Sequence, residues 1–168
     1  MDVLIVDGYN MIGSWPELKQ LKTEELAAAR DRLVEILADY QAFTGIRVIV
    51  VFDAYDVKGP ERKKRAFNVE IIFTKERETA DERIEKLAKE LRGRNTRVFV
   101  ATSDYAEQWT IFSQGAYRKS AREFYEEIQD IEKKIAQRVN TYHRIPPAAK
   151  IPLPREIADV FEKFRRGK

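Results

Sequence analysis

Polar side chains that could bind a metal ion lie near the predicted ends of several buried strands. Four carboxylates and one carboxamide share this position, at a strand end or in the first turns that follow it. They are Asp7, Asn10, Asp53, Asp81 and Asp104. Because parallel strands end at the same edge of an open sheet, where the ligands of such sheets bind, we expect these side chains to converge.

A group of carboxylates is unfavourable unless protons or a cation compensate their charges. Two carboxylates about 4 Å apart repel by roughly 4 kcal/mol at an effective dielectric constant of about 20. A set of oxygen ligands favours Mg²⁺ or Mn²⁺ over zinc, and Mg²⁺ keeps waters that a phosphate can replace. The pattern therefore favours metal-assisted hydrolysis of a phosphodiester, which requires no nucleophilic side chain.

Each acid also has an ordinary structural interpretation. Asp7, which precedes Gly8, could form a turn, and Asp53 could begin a loop. Asp81 could interact with a helix dipole, and Asp104 could be the N-cap of the helix that follows it. The coincidence of four acids at one sheet edge is what favours the metal site over these separate interpretations.

Four buried strands would carry these side chains, as continuous apolar runs and β-branched residues indicate. They span residues 2–7, 47–53, 67–73 and 97–104. Helical patterns alternate with the strands, which favours an α/β fold with a mostly parallel sheet covered on both faces. The alternative, an antiparallel α+β fold, would show more half-polar strands and short hairpin turns.

Capping residues predict where the first helices begin and end. Thr23 is the expected N-cap of a helix that ends before Gly45. Thr79 is the expected N-cap of a helix with Glu82 at its third position, and this helix should end near Arg92.

The last third of the chain is predicted to pack on the same domain. A helix should run from about residue 104 to residue 115, and a longer one should begin near Ser120. Residues 141–154 hold four of the six prolines and form a stiff connection, after which residues 154–166 form a docking helix. A length of 168 residues suits a single domain over residues 1–168.

The composition restricts the classes of function. Hydrophobic residues make up 43% of the chain and charged residues 35%, which is typical of globular proteins. The absence of cysteine excludes disulfides and thiol chemistry, and the single histidine, His143, argues against a Ser-His-Asp triad. No glycine motif for a nucleotide cofactor and no apolar run long enough for a membrane helix is present. We therefore expect a cytoplasmic protein.

A basic segment at residues 58–65, KGPERKKR, stands out against a net charge of only +3. Its four consecutive basic residues are Arg62, Lys63, Lys64 and Arg65. They are predicted to lie in a loop near the acidic edge, where they could hold a phosphate backbone. Arg118 and the helix start at Ser120 are further candidates for binding phosphate. The ordinary interpretation of the basic segment is a solvated charged loop.

Five segments together resemble the YacP-like branch of the NYN-domain nucleases, which are relatives of PIN-domain ribonucleases. They are VDGYN, FD, ETADE, TSD and, at residues 115–123, GAYRKSARE. The resemblance covers most of the chain and implies a PIN-like α/β/α sandwich. It also implies a Mg²⁺- or Mn²⁺-dependent endoribonuclease that cleaves mRNA in association with the translating bacterial ribosome.

Carried across residue by residue, the resemblance assigns all five polar residues of the sheet edge to the catalytic site. The implied metal ligands are Asp7, Asp81 and Asp104. Asn10 would orient a carboxylate or a metal-bound water, and Asp53 would support the ligands from outside the first coordination sphere.

Two other functions remain open from the sequence. A noncatalytic module of the same fold could bind RNA or the ribosome without cleaving, although all the candidate acids are present. A metal-dependent phosphotransfer or receiver-like domain would also place acids on this edge. That class is disfavoured because paired acids after the first strand are missing, and Asn10 lies three positions beyond Asp7.

Overall fold

Six strands form one sheet in the part of the chain that the structure describes. This computed structural model describes residues 1–54, 58–93, 95–104, 106, 109 and 115–143. The strands are β1 (Asp2–Asp7), β2 (Arg47–Phe52), β3 (Arg62–Ala66), β4 (Val69–Phe73), β5 (Arg97–Ala101) and β6 (Tyr117–Lys119). Their order in the sheet is β3-β4-β2-β1-β5-β6. All neighbouring strands are parallel except β3 and β4, which are antiparallel.

Five helices are present over the same described residues. They are α1 (Gly8–Ser14), α2 (Pro16–Glu24), α3 (Leu26–Thr44), α4 (Ala80–Leu91) and α5 (Ala121–His143). Residues of α1, α2, α3 and α5 form a core against one face of the sheet, and α4 packs against the other face. No helix in the described part of the chain combines the length and the apolar character that crossing a membrane requires.

The central strand β1 is buried on both faces, which explains its unbroken apolar run. Leu4 and Val6 belong to the core shared with α1, α2, α3 and α5, whereas Val3 and Ile5 belong to the core shared with α4. A strand buried on both faces is typical of a parallel sheet between two helix layers. The predicted mostly parallel α/β fold is confirmed, and the antiparallel α+β alternative is wrong.

The helix predicted to begin after Thr23 is α3, and it begins two residues later than predicted, at Leu26. Thr23 lies inside α2, where its hydroxyl donates to the carbonyl of Gln20 at 2.7 Å, and the N-cap of α3 is Glu25. Periodicity missed α2 because Leu18 is its only buried residue, so no apolar stripe is visible. The predicted end of α3 is confirmed, since Gly45 has a φ of 74° and caps the helix in the left-handed conformation.

The four consecutive basic residues lie in a strand and not in a loop. Arg62 to Ala66 form β3, which pairs with β4 at the edge of the sheet. Phe67 and Asn68, predicted to begin a strand, form a two-residue turn with φ values of 52° and 68°. The pattern hid β3 because its first four residues are exposed on both faces. The three-residue strand β6 was also missed.

Two predicted capping residues are confirmed. The hydroxyl of Thr79 accepts a hydrogen bond from the amide of Glu82 at 3.2 Å, and that of Ser120 accepts from the amide of Glu123 at 3.1 Å. Helix α5 continues to His143, so the first three residues of the predicted connection at 141–154 are helical. Residues 144–168, including the predicted last helix, lie outside the described residues, as does most of the predicted helix at 104–115.

Candidate functional site

The strand order creates a crevice at the carboxyl ends of β1 and β5. The chain passes from β1 to β2 on one side of the sheet centre and from β5 to β6 on the other. Connections that leave neighbouring strands in opposite directions open a crevice where ligands bind. Val6 pairs with Ala101, so Asp7 and Thr102 follow at the rim of this crevice.

Asp7 is the buried carboxylate of this edge, with 8% of its surface exposed. It ends β1 and is the N-cap residue of α1, yet its side chain makes no capping hydrogen bond to that helix. A simple capping role therefore does not explain the acid. Side chains alternate along a strand, so Asp7 lies on the same face as Val3 and Ile5, which is the face covered by α4.

Gly8 lets α1 begin directly against the sheet. A Cβ atom at this position would lie within 3.0 Å of three carbon atoms of the Phe52 ring. Gly8 is therefore required by close packing and not by a positive φ. The tight approach fixes where the chain leaves β1, and with it the position of Asp7.

Asn10 joins the two sides of the crevice. Its carboxamide oxygen accepts hydrogen bonds from the backbone amide and from the hydroxyl of Ser103, both at 2.6 Å. These bonds hold the segment after β5 against α1. That Asn10 orients a carboxylate or a metal-bound water stays a prediction.

Asp104 follows this segment and is exposed. One of its carboxylate oxygens accepts from the amide of Ala106 at 2.9 Å, and its own amide donates to the hydroxyl of Thr102 at 3.1 Å. The first contact is a capping contact, so the ordinary interpretation accounts for one oxygen of Asp104.

Asp53 and Asp81 both lie at the start of α4. Asp53 follows β2, and its carboxylate accepts from the amide of Ala80 at 3.4 Å. Asp81 is the next residue of the helix and is exposed. Asp53 lies two residues beyond Val51, which pairs with Asp7, so alternation places the two acids on the same face. The positive end of α4 therefore lies at this edge, beside two carboxylates.

The acids do not form a closed metal cage. Within the described ranges, no three His, Cys, Asp or Glu side chains are grouped so that they could hold a metal ion. Mg²⁺ commonly takes one or two carboxylates from the protein and fills its remaining positions with water and phosphate. The oxygen donors at this edge fit such an open site, and the predicted cluster of Asp7, Asp81 and Asp104 is not assembled as three ligands.

The predicted RNA-binding residues lie on both sides of the crevice. Arg62 pairs with Phe73, the last residue of β4, so the basic strand reaches the same sheet edge as the acids. Arg118 is exposed on β6. The hydroxyl of Ser120 is used in capping α5, which begins near the edge because the amide of Thr102 donates to the carbonyl of Lys119 at 3.0 Å.

Comparison with known proteins decides the family. The family described as the YacP-like NYN domain matches residues 4–166. The chain belongs to the YacP-like NYN domain family. The YacP protein of Bacillus subtilis (strain 168) is 58% identical to it over 167 residues, which cover 99% of this chain and 98% of that protein.

Solved structures agree with this assignment. The crystal structure of a tryptophan-to-leucine mutant of Rae1 (YacP) from Bacillus subtilis matches with a TM-score of 0.82 at 53% identity. A second crystal structure of Rae1 (YacP) from the same organism matches with a TM-score of 0.76 at 58% identity. Each comparison covers 99% of this chain and 96% of the other. Membership of the YacP-like NYN family is consistent with a nuclease fold.

Sequence reasoning missed Glu78, the first residue of ETADE in this YacP-like NYN domain. Glu78 is 3% exposed and immediately precedes the N-cap of α4. One carboxylate oxygen accepts from the ammonium of Lys86 at 2.8 Å, and this hydrogen bond raises the pKa of Lys86. The other oxygen has no hydrogen-bond partner among the described residues. The capping pattern marks Thr79 and Glu82 as functional parts of the helix start. Glu78 precedes the helix and belongs to no periodic pattern, so no sequence signal marks it.

Proposed function

We propose that this chain is a divalent-metal-dependent endoribonuclease that cleaves mRNA in association with the ribosome. The observation that carries the proposal is the position of Asp7. It is a buried carboxylate at the end of the central strand, it lies where β1 and β5 end side by side, and capping of α1 does not explain it. Membership of the YacP-like NYN family supports a nuclease activity, and the resemblance described above supports mRNA and the ribosome as partners.

The residues at this sheet edge would bind the metal ion and position the scissile phosphate. A bound Mg²⁺ or Mn²⁺ would polarise a phosphoryl oxygen and supply an activated water. Asp7 would hold this ion together with Asp81 or Asp104. The hydrogen bonds between Asn10 and Ser103 would keep the two walls of the crevice at a fixed separation. The amides at the start of α4 would favour the negative charge of the scissile phosphate.

Asp7→Asn and Asp81→Asn test the active site. Each change keeps the shape of the side chain and removes a negative charge, so the fold should survive while metal binding and cleavage are lost. The substrate is a labelled mRNA offered with and without translating ribosomes, in Mg²⁺, in Mn²⁺ and in a chelator. We expect cleavage by the wild type in either metal and none by the variants. Wild-type rates in both variants would show that the active site is elsewhere.

A second candidate is a noncatalytic module that binds RNA or the ribosome. The observation that favours it is that the described acids do not form a three-ligand group. The same assay separates the two functions. A noncatalytic module would bind the RNA or the ribosome and leave the message intact in every metal, with the same products from the wild type and from Asp7→Asn.

A further inference from the structure

Trp109 is the most exposed large apolar side chain in the described part of the chain, with 73% of its surface accessible. The other tryptophan, Trp15, is 2% exposed and donates its indole N–H to the carbonyl of Ala121 at 2.9 Å. Exposure alone does not mark a binding site, because single apolar side chains are common on protein surfaces. The position of the Trp109 ring relative to the acids is therefore what matters.

Trp109 lies in the connection between β5 and β6, and the order of the strands assigns this connection to one face of the sheet. The connection from β1 to β2 and the connection from β4 to β5 run in opposite directions across the sheet, and they cover opposite faces. Right-handed crossovers produce this arrangement. The connection from β5 to β6 runs in the same direction as the one that holds α4, so the same hand places it on the α4 face.

Contacts at the end of this connection agree with that face. Ala116 belongs to the core that the sheet shares with α4. A Cβ atom at Gly115 would lie 3.1 Å from a guanidinium nitrogen of Arg92, the C-cap residue of α4. Asp7 also faces this side of the sheet, so Trp109 lies on the same face as the buried acid.

The chain limits the distance between Trp109 and the acidic edge. The amide of Ala106 donates to the carboxylate of Asp104 at 2.9 Å. Three positions separate Ala106 from Trp109, so their Cα atoms are at most about 11 Å apart. The oxygen of Asn10 holds the start of this segment by accepting from Ser103. The ring therefore lies within a few nucleotides of a phosphate bound at the crevice.

The other exposed aromatic residues lie elsewhere. Tyr117 is 55% exposed and stacks on Phe99 with ring centroids 5.1 Å apart, and Phe99 packs against the core on the face opposite α4. Phe67 lies in the turn before β4, at the opposite edge of the sheet from the acids. Among the exposed aromatic side chains that the structure describes, only Trp109 lies on the face of the acids and close to their edge.

A cation accompanies the ring on this face. Arg118 is exposed and pairs with Val100, whose side chain belongs to the α4 core, so both side chains point to the same face. Proteins hold single-stranded nucleic acid by combining cations, which bind phosphates, with aromatic rings, which stack on bases.

We propose that Trp109 stacks on a base of a single-stranded RNA whose scissile phosphate lies at the crevice. The proposal rests on the proposed function and adds a residue that binds a base. Stacking uses the face of a base and not its hydrogen-bonding edge, so Trp109 adds affinity and positions the strand without selecting a sequence.

Tryptophan fluorescence reports this contact directly. The protein has two tryptophans and Trp15 is buried, so quenching by added RNA comes from Trp109. A short single-stranded RNA is titrated in a chelator, which keeps the RNA intact under the proposed function. We expect the RNA to quench the wild type and Asp7→Asn alike and to leave the emission of Trp109→Phe unchanged. Absence of quenching in the wild type, or equal quenching in Trp109→Phe, would overturn the proposal.

RNA affinity, measured by fluorescence anisotropy of a labelled strand, gives an independent test. Trp109→Ala should weaken binding by about 5- to 150-fold, which is the range for the loss of one base stack. The slope of log K against log salt should stay the same, because no phosphate contact is removed. Trp109→Phe keeps a ring and should retain most of the affinity.

Tyr117→Ala is the matched control, because it removes an exposed aromatic ring from the opposite face. This variant should bind RNA like the wild type, and thermal unfolding establishes that every variant is folded. An equal loss of affinity in Trp109→Ala and Tyr117→Ala would overturn the proposal, as would wild-type affinity in Trp109→Ala.

An abasic nucleotide locates the stacked base. In a series of RNAs, one base at a time is removed while every phosphate is kept. The wild type should lose about 5- to 150-fold in affinity at one position of the series, and Trp109→Ala should lose nothing further there. A loss of equal size at that position in both proteins would assign the stack to another residue and overturn the proposal.

The failures of the two proposals can be told apart. If quenching and affinity follow the expected pattern but Asp7→Asn cleaves like the wild type, the stack stands and the active site is wrong. If Asp7→Asn abolishes cleavage but Trp109→Ala binds RNA like the wild type, the active site stands and the stack is wrong.

Discussion

Replacing Gly8 by alanine should destabilise the protein, although alanine is the better helix former. The added Cβ would lie within 3.0 Å of three carbons of the Phe52 ring. That ring is 1% exposed and is held between Phe73 and Tyr9, so it cannot turn away freely. Overpacking of this kind costs about 1–3 kcal/mol, whereas the change from glycine to alanine in a helix returns at most about 1 kcal/mol. We expect a net loss of about 1.5 kcal/mol.

Gly13 provides a matched control in the same helix. A Cβ at Gly13 would meet nothing within 4 Å, so Gly13→Ala should stabilise the protein by about 0.5–1 kcal/mol. Thermal unfolding should show a lower Tm for Gly8→Ala, by roughly 3–6 °C, and a higher Tm for Gly13→Ala. RNA cleavage by Gly8→Ala should also fall under the proposed function, because a shifted α1 moves Asp7.

A double-mutant cycle identifies the cause of the loss. Phe52→Leu removes the ring that the new Cβ would meet, so Gly8→Ala should cost about 1 kcal/mol less in that background than in the wild type. The reasoning is refuted if Gly8→Ala is as stable as the wild type. It is also refuted if the cost is the same in both backgrounds.

Three further predictions concern the contacts around the sheet. Asn10→Ala should lower the unfolding free energy by about 1 kcal/mol and speed amide hydrogen exchange at Ser103, whereas Asn10→Asp keeps an acceptor oxygen and should retain the protection. The hydrogen bond from Arg47 lowers the pKa of Glu70, so its stabilising contribution is present above the unfolded pKa of about 4.3 and is lost as the pH falls through the lower folded pKa. Glu70→Gln should therefore lower the midpoint of urea unfolding at pH 7. Between pH 7 and acid, this midpoint should fall less in the variant than in the wild type, and an equal fall in both would contradict the prediction. Lys119→Ala should lower the free energy of unfolding in urea by about 1–2 kcal/mol, because the 2.6 Å ion pair with Glu127 of α5 is lost. Lys119→Met should recover part of this loss through packing of its side chain. An unchanged unfolding free energy in both variants would contradict a stabilising role for the ion pair.

Local chemistry made some elements predictable from the sequence. The N-caps Thr79 and Ser120 bond to amides only three residues away, so the signal for each helix start is contained in a few letters. Strand β1 is buried on both faces, and its apolar run shows this directly. The convergence of strand ends followed from the parallel sheet, and it placed Asp7 correctly at the edge.

Other elements could not be predicted because they bury few apolar side chains. Strand β3 exposes its basic side chains on both faces, and α2 buries only Leu18, so neither has an apolar period. The partner of Asn10 lies 93 positions away, and no local pattern reports a contact at that separation. The ion pairs of Lys63 with Glu61 and of Arg65 with Glu70 likewise depend on which face of β3 each residue occupies.

The contact between Asn10 and Ser103 also orders events during the synthesis of the protein. β1 can pair with β2 once residue 52 has left the ribosome, but the second wall of the crevice does not exist until residue 103 has followed. At about 5–20 residues per second, the growing chain spends several seconds with an exposed Asp7 and an incomplete crevice. Under the proposed function, a nascent chain would therefore be unable to cleave the message from which it is being translated until most of its sheet has been made.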